Sequence, residues 1–154
     1  MIHFILLISR HGKIRLGKWF STYSQKERES ILKEVKPLVI GRNSKLCNFL
    51  EFKEFTLVAK RYASLYFVFC IDREDNELIA LDIMHFFVEV LDKYFKNVCE
   101  LDIIFNFHKA YYILDEMIAG GYMIETSKKQ VNKTIENQDQ IMEEAREETT
   151  ARKK

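Results

Sequence analysis

A single proline and five glycines among 154 residues leave no material for a flexible linker or a low-complexity segment, and no internal repeat is present. One domain is therefore expected, because a chain of this length buries a sizeable core but is too short for two. Three cysteines, Cys47, Cys70 and Cys99, lie far apart without a Cys-x-x-Cys pair. That excludes a disulfide framework and a zinc site, and it fits a reducing compartment. No apolar run approaches the roughly 20 residues needed to span a bilayer. The apolar opening from Ile2 to Ile8 contains His3, lacks a basic start and ends after one strand's length, unlike a secretory signal. A soluble, intracellular protein is the expectation. A surplus of one charge sign is missing too: 24 Lys and Arg stand against 23 Asp and Glu. Such balance offers neither a nucleic-acid footprint nor a polybasic membrane arm.

The patterns of common catalytic and cofactor sites are also absent. His3, His11, His85 and His108 are scattered, with no His-x-x-x-His or His-Glu-x-x-His pair to build a metal face. Gly120-Gly121 is read as following a helix, where it caps that helix instead of cradling a phosphate. Asp72, Glu74 and Asp75 lack the twelve-residue calcium pattern, since Ile79 and Leu81 stand where oxygens are needed. Cys99 beside His85 or His108 is the remaining enzyme reading, and a cysteine in so apolar a chain is read as packing. No enzyme, metal or cofactor is expected.

What is present is a set of regular elements. The unbroken apolar run Ile2 to Ile8 predicts a central strand covered on both faces, hairpin-linked to a second strand from Ile14 to Phe20. Ser24-Gln25-Lys26-Glu27 has the form of a capping box. Ile31, Leu32, Val35, Leu38 and Val39 follow at helical spacing, with Gly41 placed to end the helix and Pro37 expected to bend it near Lys33. Phe49 to Ala59 and Tyr62 to Ile71, divided by Lys60-Arg61, predict further strands, two or three in all. Asp75 or Asn76 is placed to cap an amphipathic helix carrying Met84, Phe87, Val88, Leu91, Tyr94 and Phe95. A third helix is predicted from about Glu100 to Ala119, apolar around most of its circumference, so that the domain or a partner chain must cover it. After Thr126, a candidate cap, Val131, Ile135, Ile141 and Met142 form a sparse stripe. Residues 143–154 have no apolar anchors and are expected to be disordered in the free chain. An antiparallel sheet flanked by helices, an α+β sandwich, satisfies this order.

Two features exceed the needs of a core. Arg10, Lys13, Arg15 and Lys18 load one hairpin with positive charge, and aromatic residues reach 13% of a small domain. The charges are read first as a solvated face, while the aromatic content, together with the all-round apolar third helix, fits one extra interface at least as well as a larger core.

Several long segments resemble the small chains of clathrin adaptors: Phe4 to Leu16, Lys60 to Phe67, Asp75 to Ile79, Asp92 to Phe95 and Asn97 to Phe107. The resemblance runs from Met1 to about Ile135. Ser9-Arg10, Ser64, Glu77-Leu78-Ile79, Asp92-Lys93 and Thr126 to Lys129 are similar to the chain of the trans-Golgi network and endosomal complex, whereas His3, Glu89-Val90 and Glu116-Met117 lean toward that of the plasma membrane. The resemblance implies the longin fold, a five-stranded antiparallel sheet with one helix on one face and two on the other, here extended by a C-terminal helix to residue 142. It implies a heterotetramer with a gamma-type large chain as obligate partner, a beta-type large chain and a medium (mu) chain, with clathrin and the membrane engaged indirectly. It further implies binding of [Asp/Glu]-x-x-x-Leu-[Leu/Ile] signals in cargo tails. The matched positions are Arg15 for the acidic residue, and Tyr62, Ala63, Leu65, Phe67, Val88, Asn97, Val98 and Ile103 for the leucine pockets. The competing reading is a stand-alone longin-domain regulator of a small GTPase or of membrane fusion, although the tail carries no coiled-coil heptads or lipid anchor.

Overall fold

The computed structural model describes residues 1–41, 48–123 and 128–152, without the side chains of Lys128 and Lys129. Cys47 and the candidate cap Thr126 lie outside the described residues. Strand β1 (Ile2–Ser9) turns through Gly12, at φ 83°, into β2 (Ile14–Trp19). Helix α1 (Gln25–Val39) is followed by β3 (Phe49–Phe52), β4 (Phe55–Tyr62) and β5 (Leu65–Asp72). The five strands form one antiparallel sheet in the order β2-β1-β5-β4-β3. β1 pairs on both sides and is buried from Phe4 to Ser9, as its continuous apolar run requires.

The pleat sends alternate residues to two separate cores. Phe4, Leu6, Ile8, Leu57, Val68 and Cys70 meet Ile31, Val35 and Val39 of α1 on one face. Ile5, Leu7, Val58, Leu65, Phe67, Phe69 and Ile71 face the remaining helices on the other. Helix α1 begins with the expected capping box, in which Ser24 Oγ accepts from the Glu27 amide and the Glu27 carboxylate accepts from the Ser24 amide. It runs through Pro37 and ends at Val39, just before Gly41, which has φ 83°.

The second face is built by α2 (Glu77–Phe95), α3 (Glu100–Phe105), α4 (Phe107–Met117) and α5 (Lys128–Ala151). Asn76 caps α2 by accepting from the Leu78 amide. Tyr111 Oη accepts from the Gly17 amide and donates to the Gly17 carbonyl, which ties α4 to the edge strand β2. Lys18 adds an ion pair to Asp115 of α4 at 2.7 Å. Helix α5 is held by buried Val131 and Ile135, and by Asp139, which accepts from Tyr94 and pairs with Lys109.

Four expectations are corrected. Lys60 and Arg61 do not divide two strands but lie within β4, paired with Phe67 and Tyr66; the turn falls at Ala63-Ser64. A second turn at Lys53-Glu54 makes β3 a separate strand. Both turns carry little sequence signal because Lys53 and Ala63 adopt a φ of 53°, a conformation signalled by glycine or asparagine far more often than by these residues. The long third helix is two helices, broken at Asn106, whose φ and ψ of −128° and 37° are not helical. Gly120-Gly121 does not cap a helix but turns the short hairpin β6 (Ile118–Ala119) and β7 (Tyr122–Met123). Gly121 is required there twice over. Its φ is 87°, and a Cβ on it would stand 2.3 Å from the Ile2 carbonyl oxygen. Residues 143–151, expected to be disordered in the free chain, continue α5 with every side chain exposed. The strong helix formers Glu, Ala and Arg favour this stretch locally, and the hydroxyls of Thr149 and Thr150 donate to carbonyls one turn back.

Candidate functional site

The turn from β4 to β5, the C-terminal half of α2, the start of α3 and strand β2 converge on the second face of the sheet. Leu65 and Phe67 point into this core because odd positions of β5 face it, and Val88 enters from α2. Val98 and Ile103 arrive through a tight connection from α2 to α3. Lys96 and Asn97 both have positive φ, at 54° and 71°, while the Asp92 carbonyl accepts from the Asn97 amide and Asp92 Oδ1 from the Val98 amide. Asparagine tolerates the left-handed region, and the double reversal swings Val98 back under the sheet.

These five side chains share one buried cluster, and Tyr62 packs against it. The Tyr62 ring meets Phe67 edge-on at 5.3 Å, and Phe67 meets Phe87 at 6.0 Å. Phe67 and Ile103 are fully buried, whereas Ala63 and Asn97 stand exposed at their turns. Arg15 on β2 donates from Nε to Glu100 Oε1 at 2.8 Å, bridging to the first turn of α3.

Tyr62 and His85 form a polar pair beside this cluster. Burial pushes the Tyr62 phenol up to about 12, so it keeps its proton. Tyr62 Oη lies 2.6 Å from His85 Nδ1, and Lys60 Nζ lies 3.4 Å from His85 Nε2. An ammonium has only protons to give, so Nε2 must accept and Nδ1–H must donate to the phenol oxygen. Burial first, and the Lys60 charge second, hold the imidazole below the usual histidine range. Neither the His85 contact nor the Glu100 contact is legible in the sequence, because each partner lies far off in the chain.

A second surface lies on the outer side of α3 and the start of α4. Leu101 is 59% exposed, Phe105 75% and Phe107 55%. Ile104 is more sheltered yet still open, and Ile141 and Met142 extend the apolar character onto α5. A stripe of this kind on a small domain is the signature of a face that a partner covers.

The family model for the clathrin adaptor complex small chain matches residues 1–142. The chain belongs to this family of adaptor small chains. It is 57% identical over 151 residues to the AP-1 complex subunit sigma-2 of Arabidopsis thaliana, covering 98% of this chain and 93% of that one. It is 61% identical over 141 residues to AP-1 complex subunit sigma-2 of Dictyostelium discoideum, covering 92% of each. A chain of a structure described as a homology model of the full-length AP-3 complex in a stretched open conformation superposes with a TM-score of 0.73. That pair is 29% identical and covers 96% of this chain and 99% of the other. The adaptor small chain is thus a subunit of a multi-chain complex and not an enzyme, and its α+β sandwich is the architecture of that assembly's subunit. Among the described residues, no helix of this adaptor chain is long and apolar enough to cross a membrane.

Proposed function

We propose that the chain is the sigma subunit of the adaptor complex that works between the trans-Golgi network and endosomes, and that it reads acidic dileucine signals in cargo tails. Leu65, Phe67, Val88, Val98 and Ile103 form the walls that receive the paired aliphatic side chains, with Tyr62, Ala63 and Asn97 at the rim and Arg15 facing the acidic residue. The observation that carries this reading is the convergence of these wall residues, from β5, α2 and α3, in one apolar cluster. Arg15 is brought to α3 by its bond to Glu100.

The expected affinity is modest. Burying two leucine side chains contributes about 1.5–3 kcal/mol each. A partly exposed ion pair adds about 1 kcal/mol at most. Ordering a flexible tail subtracts from that sum. A coat gains its grip through several such contacts at once.

The outer face of α3 and α4 is assigned to the helical trunk of a gamma-type large chain, with the beta-type large chain and the mu chain completing the tetramer. The complex carries the chain to Golgi and clathrin-coated vesicle membranes. The deciding experiment measures binding of a dileucine peptide to the assembled complex carrying Val88→Asp or Arg15→Ser. Val88→Asp should abolish binding by placing a charge in the pocket, and because Val88 is also part of the buried core the variant is read only in complexes that gel filtration shows intact. Arg15→Ser should weaken peptides with the acidic residue more than peptides lacking it. Unchanged affinity in both variants would remove this surface as the cargo site.

A further inference from the structure

Arg15 is not a free cation awaiting a ligand. Glu100 in the first turn of α3 accepts from its Nε at 2.8 Å, and both side chains remain 25% and 22% exposed. Among the described residues, no hydrogen bond engages the Nη groups of Arg15, so the guanidinium keeps donors for a second carboxylate. Other hairpin cations differ in standing: Lys18 is paired with Asp115 on α4, while Arg10 and Lys13 are exposed at the turn.

An acidic residue arriving at Arg15 would therefore share one guanidinium with a carboxylate already in place. Two anions bound to the same fork stand close enough to repel, and at partial exposure the solvent screens that repulsion only in part. We propose that Glu100 sets the acidic-residue selectivity of the site, opposing with its own charge the carboxylate that Arg15 attracts. The proposal rests on the dileucine reading above and deepens it. Arg15 attracts the acidic residue, and Glu100 limits how much that residue gains. The signal is then read chiefly through its leucines, which keeps peptides with and without the acidic residue within a narrow range of affinity.

Glu100→Gln tests this, because the amide oxygen still accepts from Nε while the charge is gone. The assembled complex is titrated with two synthetic peptides that differ only in Asp or Asn four positions before the first leucine. Glu100→Gln should raise the Asp-to-Asn affinity ratio about two- to fivefold, the range expected for removing one charge at close but partly solvated distance. The gain should shrink with added salt and vanish in the Arg15→Ser background, since it acts through that guanidinium. A ratio that stays level or falls in Glu100→Gln overturns the proposal. If both peptides bind the unaltered complex and Val88→Asp abolishes both, that failure concerns Glu100 alone. If the unaltered complex binds neither peptide, the dileucine reading falls with it.

Discussion

Helices α1 and α3 lie against opposite faces of the same sheet, yet they complete their faces differently. Ile31, Val35 and Val39 of α1 are buried, and apart from Leu38 its exposed positions are polar or proline. α3 buries Ile103 and leaves Leu101, Ile104 and Phe105 open. The first face is finished by the chain's own packing. The second is left unfinished by the chain itself, so the free energy of covering those side chains remains for a partner to gain.

The contrast can be broken most sharply by placing one charge on each side. Val35→Asp should cost the free chain about 3–5 kcal/mol, enough to unfold a marginally stable domain, because an unpaired carboxylate is forced into a closed core. Phe105→Asp should shift the folding stability by about 0.5 kcal/mol or less while abolishing co-elution with the gamma-type trunk on gel filtration. A large loss of melting temperature in Phe105→Asp would mean that the α3 face closes internally.

Gly121→Ala should follow, at about 1–3 kcal/mol in chemical denaturation, since the added Cβ meets the Ile2 carbonyl and the backbone is left-handed. Gly41 also has a positive φ but open space around it, so Gly41→Ala carries conformational strain without the clash and should cost less. Tyr111→Phe removes both bonds to Gly17 and should cost about 1–2 kcal/mol, loosening the edge strand that carries Arg15.

The smallest effect is the pH response of His85. Its folded value lies below the usual histidine value of 6.5, so the native state favours the neutral ring. The unfolded chain then takes up the proton first, and stability falls as pH drops below about 6.5 toward the folded value. Melting curves between pH 7.5 and 5.5 should show this loss reduced in His85→Gln; an identical pH slope would place the titration elsewhere.

Much of the fold was legible because its signals are local. The unbroken run from Ile2 to Ile8 announces a strand buried on both faces, and Ser24 with Glu27 announces a helix start. The turns at Lys53 and Ala63 carried no such signal, since their left-handed backbone is imposed by strand pairing and not by residue type. The break at Asn106 was hidden by apolar residues on both sides of it. For the candidate site, the residue types were legible through resemblance, but Arg15 with Glu100 and Tyr62 with His85 join positions 85 and 23 residues apart.

The sequence by itself determined the first hairpin, the starts and apolar faces of α1 and α2, and the family. These follow from periodicity, caps and motifs, which neighbouring residues express without reference to the rest of the chain. Only the tertiary structure decided that a guanidinium on β2 meets a carboxylate on α3, that Gly121 must yield to the Ile2 carbonyl, and which side of α3 stays open. Those outcomes depend on distances between segments remote in the chain, and such distances exist only once the sheet and its helices have packed.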